Sequence, residues 1–300
     1  MTIDLAVATP AFLDLTFVGL EKIPGPGEER FAGDLVRSPG GGAITAIGAA
    51  RLGLRAVLAA PLGQDVEGDM VCGALEREGV QVLSRRGART ATTVVLPVDG
   101  ERSFVTYDPG VRANAGELAA LQPRAVAVSL DQLAVVPDGP SVYVTCGDDD
   151  ARAYAGRPPA VECGARALFV NEKEALVLTG CRSPREAAER LSACAEVVVV
   201  TLGARGALAF SEGETIDVPG YDVGSPVDTT GAGDLFCAAY AWADLRGADL
   251  HPRLLWAGLY AGLSVTAPTG VAGAVTKERL LQEGARRGLP ALDGASPLGS

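Results

Sequence analysis

A single histidine, His251, is present among the 300 residues of the chain. Ser-His-Asp and Cys-His catalysis and histidine-based metal sites all need a positioned imidazole, and only this residue could supply one. It stands directly before Pro252, and we predict that it is exposed in a loop ahead of a helix. Any catalysis is therefore expected to depend on carboxylates, Lys or Arg, backbone amides or a bound ion.

Aromatic residues are scarce and positive charge is in deficit. Aromatic residues make up 5% of the chain, and the formal net charge is -11. Nucleic acids and anionic membrane surfaces require clustered Lys and Arg, so neither is expected as a partner. The N-terminal apolar run carries Asp4 and stops at Pro10, which is unlike a signal peptide. The six cysteines form no C-x-x-C pair, which predicts reduced thiols and a cytoplasmic location.

Short β-branched runs alternate with helical stretches, which is typical of an α/β sheet in a single domain. The run 197–200 is continuously apolar, as expected for a strand that is covered on both faces. Strands are predicted over residues 5–8, 56–60, 126–130, 142–145, 167–170 and 197–202. Helices are predicted over residues 43–52, 66–78, 173–178, 184–193, 232–245 and 252–266.

Two segments, 12–36 and 92–107, contain predicted strands and turns without helices between them. The second reads as a hairpin that turns at Asp99-Gly100, a favoured two-residue turn. We expect the two segments to pair into a small discontinuous β lid over one edge of the core. Transfer of a group to an acceptor other than water would need such a cover.

The most informative segment is the Gly-rich turn Asp228-Thr229-Thr230-Gly231-Ala232-Gly233-Asp234. Gly231 and Gly233 remove side chains where a polyanion would approach the backbone. A helix is predicted to start here, so its first N–H groups would be unpaired and suited to a phosphate. A carboxylate at Asp234, in that first turn, could accept a proton from an attacking hydroxyl. The turn is not a Walker A loop, because no Gly-Lys-Ser/Thr follows.

This turn and the apolar helix after it closely resemble the C-terminal signature of the ribokinase (PfkB) family of carbohydrate kinases. Five further motifs match the family in order along the chain. They are Pro39-Gly40-Gly41-Gly42, Leu62-Gly63-Gln64-Asp65-Val66-Glu67-Gly68, Gly100-Glu101-Arg102 at the lid tip, Asn171-Glu172-Lys173-Glu174, and Thr201-Leu202-Gly203-Ala204-Arg205-Gly206.

The resemblance implies a three-layer α/β/α sandwich with a mainly parallel central sheet, and an ATP-dependent kinase that acts on a sugar or sugar-like hydroxyl. Asp234 would be the catalytic base, beside an anion hole formed by Gly231, Ala232 and Gly233. The family also implies nucleotide contacts from Asn171, Thr201, Gly203, Gly206 and Gly233, and substrate contacts from Asp14, Gly40, Gly41, Gly42 and Asp234. Asn171 and Glu174 would organise Mg²⁺, partly through water, and Asp228 and Thr230 occupy positions that hold a monovalent cation such as K⁺ in ribokinase-like members.

The chain departs from the family where an Asn normally follows the glycine pair and touches the substrate. Ile44 or Thr45 stands there instead, which leaves a ribose-like or fructose-like acceptor open to question. The run Asp148-Asp149-Asp150 is read as a solvated loop or a helix start rather than a metal site.

Two alternative functions stay open at this level, and so does the oligomeric state. A nucleoside kinase of the same family would use aromatic residues such as Phe12 or Phe17 beside the glycines. A non-catalytic ligand sensor would keep the fold and lose the chemistry. The lids of such folds often pair between subunits, so the chain is either a monomer or a homodimer through the lid.

Overall fold

Seven parallel strands make up most of a nine-stranded sheet in the computed structural model, which describes residues 2–98, 101–156 and 164–292. In chain order the strands are β1 (Leu5–Val7), β2 (Ala11–Val18), β3 (Asp34–Gly41), β4 (Ala56–Leu58), β5 (Gln81–Val82), β6 (Ala91–Val98), β7 (Glu101–Tyr107), β8 (Ala125–Ser129), β9 (Ser141–Thr145), β10 (Ala167–Asn171), β11 (Val197–Thr201), β12 (Ala207–Ser211) and β13 (Glu214–Val218). The order in the large sheet is β13-β12-β11-β10-β9-β8-β1-β4-β5, and only β12 and β13 run antiparallel to their neighbours.

Helices cover both faces of this sheet. They are α1 (Gly42–Arg51), α2 (Val66–Arg77), α3 (Ala115–Leu121), α4 (Asp148–Ala153), α5 (Glu172–Thr179), α6 (Pro184–Leu191), α7 (Ala232–Asp244), α8 (Leu250–Ser264), α9 (Gly270–Gly273) and α10 (Lys277–Arg286). Alternate residues of one strand enter different cores: Leu5 and Val7 join one apolar cluster, and Ala6 the other. Burial on both faces explains the uninterrupted apolar strands and confirms the predicted three-layer, largely parallel α/β architecture.

The remaining strands form a separate four-stranded sheet in the order β3-β2-β6-β7. Strand β2 runs antiparallel to β3 and parallel to β6, and β6 and β7 form a hairpin. The two helix-free segments therefore meet in one sheet. The predicted turn at Asp99-Gly100 lies outside the described residues.

The prediction for His251 was wrong in one respect. His251 is exposed, but it lies in the first turn of α8, which starts at Leu250 after the cap residue Asp249. Pro252 does not mark the start of α8. A proline is tolerated within the first helical turn, because the N–H that it lacks would have no intrahelical acceptor there.

The Asp148-Asp149-Asp150 run does begin a helix, α4. Within the described ranges, no group of three or more His, Cys, Asp or Glu side chains is arranged to hold a metal ion. The described helices include none that is both long and apolar enough to span a membrane.

Candidate active site

The Gly-rich turn lies directly before α7, and its backbone conformation depends on Gly231. This residue caps the helix with φ +79°, in the left-handed region that favours glycine. A Cβ at Gly231 would also lie 2.8 Å from Cδ1 of Ile44 and 3.1 Å from Cα of Gly270. The turn is thus packed tightly from behind, while a Cβ at Gly233 would meet no atom within 4 Å. The open side of the turn is where an anion could approach the first amides of α7.

Asp228 and Thr230 brace the start of this turn. One carboxylate oxygen of Asp228 accepts hydrogen bonds from the backbone N–H of Thr230 at 2.8 Å and from its hydroxyl at 2.7 Å. Arg102, on β7, donates to the Thr230 hydroxyl at 3.0 Å and lies 3.9 Å from the same Asp228 oxygen. The other oxygen, Oδ2, is buried without a hydrogen-bond partner among the described residues. A buried carboxylate oxygen in this state is a favourable ligand for a cation.

Asp234 lies in the first turn of α7, as predicted, with its side chain directed to α1. Its Oδ1 accepts a hydrogen bond from the Thr45 hydroxyl at 3.1 Å. Burial raises the pKa of Asp234 to about 7, and the hydrogen bond from Thr45 acts in the opposite direction. A carboxyl group that titrates near neutrality is well matched to the task of a general base.

Asp14 stands on β2, opposite Ser38 of β3, and is 6% exposed. Its carboxylate rests against Gly40, where a Cβ would lie 2.2 Å from Oδ1. Burial raises the pKa of Asp14 to about 7, and the charges of Asp234 and Asp228 raise it further. The structure therefore brings Asp14 close to two acids more than 200 residues further along the chain, Asp228 and Asp234, and it places Gly40 beside Asp14.

The four-stranded sheet turns one face toward this group of acids. Because alternate residues of a strand share a face, Phe12 lies on the same side of β2 as Asp14. The same register places Thr93 of β6 beside Asp14, and its hydroxyl lies 3.1 Å from that of Thr106 on β7. Arg102 is on this face too, and its guanidinium lies over the ring of Phe104. The face is mixed in character, with a carboxylate, hydroxyls, one cation and aromatic rings.

Asn171 and Glu174 form a reciprocal cap at the start of α5. The Asn171 side chain accepts from the N–H of Glu174 at 2.9 Å, and Glu174 accepts from the backbone and side-chain N–H groups of Asn171 at 2.8 and 2.6 Å. Burial raises the pKa of Glu174 to about 7, helped by the charges of Asp148 and Asp150. Both oxygens of Glu174 are thus already hydrogen-bonded.

The predicted nucleotide turn joins β11 to β12. Thr201 pairs with Asn171 in the parallel register, so the two predicted motifs end neighbouring strands at the same sheet edge. Gly206 has φ +100°, and a Cβ there would lie 2.1 Å from the carbonyl oxygen of Val218. Gly203 has φ +61° and accepts from the N–H of Gly206 at 3.0 Å. Both glycines are required by the turn itself, whatever binds beside it.

Comparison with known proteins assigns this arrangement to a family. The family model of pfkB family carbohydrate kinases matches residues 14–141 and 151–277, which include all three acids and both strand-end motifs. The chain belongs to the pfkB family of carbohydrate kinases. It is therefore a phosphotransferase with an alcohol group as acceptor, as the sequence motifs predicted.

Several members of the pfkB family with different names are similar to this chain over most of its length. Ribokinase of Bacillus subtilis (strain 168) is 27% identical over 292 residues, covering 92% of this chain and 98% of the relative. Fructokinase of Vibrio alginolyticus is 26% identical, covering 83% and 92%. The solved structure of Arabidopsis thaliana ribokinase complexed with ribose and ATP is 24% identical, with a TM-score of 0.76 over 94% of this chain and 98% of that one.

Sequence reasoning missed one contact of this pfkB site, the hydrogen bond between Thr45 and Asp234. Ile44 and Thr45 were expected at the substrate wall, but each is only 1% exposed. Ile44 packs behind the Gly-rich turn, and Thr45 contacts Asp234. The available signal was the position of Thr45 in the first turn of α1, three residues after Gly42. Its partner could not be read because it lies 189 residues further along the chain.

Proposed function

We propose that this chain uses ATP to phosphorylate a hydroxyl of a small sugar or sugar-like polyol, with Asp234 as the general base. The observation that carries the proposal is the placement of Asp234 in the first turn of α7, beside the open side of the Gly-rich turn. A proton acceptor and a set of free helix amides then serve the same reacting centre. Asp14 supplies a second carboxylate suited to neighbouring hydroxyl groups of one acceptor.

In the proposed reaction, Asp234 accepts the proton of the attacking acceptor hydroxyl. The acceptor oxygen forms a bond to the γ-phosphorus of ATP as the bond from that phosphorus to the bridging oxygen breaks, and ADP departs. The amides of Gly231, Ala232 and Gly233 would donate hydrogen bonds to the phosphoryl oxygens. Ala232 can do so at little cost, because its N–H makes only a long 3.4 Å contact to the carbonyl of Thr229. Asp234 then returns its proton to solvent.

The residues present fit magnesium held through water. Asn171 and Glu174 offer the oxygen donors that Mg²⁺ prefers, at the carboxyl ends of the central strands, where α/β folds bind ligands. Since both Glu174 oxygens already accept hydrogen bonds from Asn171, their remaining lone pairs suit the waters around an ion. The ion, when bound, neutralises phosphate charge. Thr201, Gly203 and Gly206 would flank the nucleotide at the same edge.

A monovalent cation such as K⁺ is proposed beside the Gly-rich turn. Asp228 Oδ2 is buried and unpartnered in the described part of the chain, which supports the suggestion. The Thr230 hydroxyl already donates to Asp228 and accepts from Arg102, so it retains one lone pair.

The acceptor class is proposed from the family and from the face around Asp14. The relatives named ribokinase and fructokinase favour a free sugar. A nucleoside is the second candidate because Phe12 shares the face of Asp14 and packs against Gly41, where a Cβ would meet its ring at 2.7 Å. An aromatic ring in that place could lie against a nucleobase.

The test is ATP turnover, followed by ADP release, across ribose, fructose, deoxyribose, sugar acids and adenosine. We expect turnover with at least one acceptor, and a loss of about 10²–10⁴-fold in kcat for Asp234→Asn. Undiminished turnover in that variant would refute the base assignment. Tight calorimetric binding of one compound without turnover of any would instead identify a ligand sensor.

A further inference from the structure

Thr45 is the one side chain from another helix that hydrogen-bonds Asp234 in the described part of the chain. It is the fourth residue of α1, and it is 1% exposed. Its hydroxyl donates to Asp234 Oδ1 at 3.1 Å. As a β-branched residue in a helix, Thr45 has few allowed χ1 rotamers, so its oxygen is held in place by the backbone of α1.

The close approach of α1 and α7 explains how this contact forms. Gly48, one turn after Thr45, faces Leu235 directly, and a Cβ there would lie 2.4 Å from Leu235 Cδ2. The same Cβ would lie 3.4 Å from the Cβ of Ala238. Because Gly48 has no side chain, the two helices pack tightly at this level, which brings their first turns together.

We propose that Thr45 is a positioning residue that holds one oxygen of the Asp234 carboxylate, so that the other oxygen faces the acceptor hydroxyl. The inference rests on the proposed function of Asp234 as base. A hydroxyl donor on Oδ1 fixes the side-chain rotation of Asp234 and leaves Oδ2 as the proton acceptor. Ile44 or Thr45 stands where the family normally has an Asn. The position at which this chain departs from the family therefore lies beside the base.

The surroundings of Asp234 decide how much the hydrogen bond from Thr45 affects its ionisation. Asp14 on β2 is near enough that the charge of Asp234 raises its pKa, and the charge of Asp228, which has Arg102 of β7 beside it, acts on Asp14 in the same direction. On α7 itself, burial and the charge of Asp234 raise the pKa of the Cys237 thiol. Burial disfavours a negative charge on Asp234, and the nearby Asp14 carboxylate would repel it. The Thr45 hydroxyl stabilises the ionised form, because a hydrogen bond to a charged group is stronger than one between neutral groups.

The experiment compares Thr45→Val, which removes the hydroxyl at nearly constant shape, with Thr45→Ser, which retains it. Thr179→Val is the matched control, since Thr179 is 2% exposed and its hydroxyl bonds only to backbone, donating to the Ala175 carbonyl at 2.7 Å. The readouts are the pH profiles of kcat and KM with the best acceptor of the panel, and thermal unfolding. A third readout is a ¹³C NMR titration of the Asp234 carboxyl, assigned with Asp234→Asn, which needs no ligand.

For Thr45→Val we expect the acidic limb of the kcat profile to move up by about one pH unit. At pH 6.5 kcat should fall about 10-fold, while the acceptor KM changes less than about threefold. The Asp234 titration should move in the same direction. Thr45→Ser should restore both readouts, and Thr179→Val should leave both unchanged. Thr45→Ala is the second hydroxyl-free variant if Thr45→Val does not fold.

The two proposals fail separately. If the wild type turns over an acceptor and Asp234→Asn does not, but Thr45→Val matches the wild type in profile and titration, the role of Thr45 is overturned and the kinase assignment stands. If the wild type turns over nothing in the panel, the proposed function fails, and the NMR titration still decides the Thr45 contact.

Discussion

At the scale of residues, the active site accumulates acids in a chain that is already strongly negative. Asp14 and Asp234 are both buried enough to titrate near pH 7. The charge of Asp234 adds to the effect of burial on Asp14. Burying acids that interact in this way costs stability, and proteins accept that cost at sites where the charge is used.

We predict that Asp14→Asn stabilises the protein at high pH and weakens acceptor binding. The folded-state pKa of Asp14 is raised from 3.8 to about 7, so between about pH 4 and pH 7 the unfolded chain releases a proton that the folded chain keeps. Wild-type stability therefore falls as pH rises through this window, and the variant does not share that loss. The gain in unfolding free energy should be on the order of 2 kcal/mol at pH 8 and close to zero at pH 4, measured by denaturant unfolding.

Asp244→Asn is the contrasting variant. Asp244 is also largely buried, but hydrogen bonds from Arg166 and Tyr143 outweigh its burial and hold its pKa below the usual value. Its ionised form is stabilising, so this variant should lose stability at pH 7, and the loss should shrink as the pH falls through the folded-state pKa. A destabilised Asp14→Asn protein at pH 8 would contradict the burial argument.

At the scale of elements, two consecutive helices begin with the same type of cap and differ in what surrounds it. Glu174 of α5 and Glu186 of α6 each occupy the third helical position after a capping Asn or Ser. Glu174 is 9% exposed, whereas Glu186 is exposed. The local interaction is similar, so a difference in function should come from position at the sheet edge.

We predict that Glu174→Gln raises the Mg²⁺ concentration for half-maximal activity about 10-fold, because the variant loses the charge that organises water around the ion. A glutamine can still accept from the N–H of Asn171, so α5 should begin at the same residue. Glu186→Gln is the control and should leave the Mg²⁺ dependence unchanged. Equal dependence in the two variants would remove Glu174 from the metal site.

The apolar strands 167–170 and 197–202 could be predicted because burial on both faces leaves a continuous apolar run. The amphipathic helix α10 was missed because its buried residues are Leu280, Glu283 and Gly284, which leave only a faint apolar stripe in the sequence. Asp65 shows that a motif match does not give the role of a residue. Its motif matches the family, but its carboxylate accepts hydrogen bonds from the N–H of Gly68 and from the N–H and hydroxyl of Thr90, which is a structural role. A motif gives a residue's position, whereas its partners depend on contacts between distant segments.

At the scale of the whole molecule, the four-stranded sheet, which carries Asp14, is proposed as a lid that closes on Asp228 and Asp234. Its one described polar link to the Gly-rich turn is Arg102, which donates to Thr230. The contact is partly buried, but a single hydrogen-bonded link of this kind contributes only on the order of 1–3 kcal/mol, so it can be broken and remade. Opening for exchange of substrates and closing for transfer are thus both accessible.

The outer face of β6 and β7 carries the features of an interface between two chains. By register, Val94 and Val105 lie side by side on this face, and Tyr107 is next to Thr92. Val105 is 65% exposed and Tyr107 49% exposed. Among the described strands, β7 pairs only with β6, so its other edge has free N–H and C=O groups as well. Exposed apolar side chains on an open edge strand favour association with another sheet.

We therefore predict a homodimer in which two lids pack together, with a mass twice that of one chain by light scattering at micromolar concentration. Val105→Glu should yield a monomer, because it would bury a charge in the interface without a partner. Val66→Glu is the matched control: Val66 is 70% exposed at the start of α2, outside the four-stranded sheet, and its variant should remain dimeric. Since each lid would be braced by its partner, the Val105→Glu monomer should also show a higher acceptor KM. A wild-type chain that is monomeric at every concentration would exclude this interface, and the lid would then have to close without support from a second subunit.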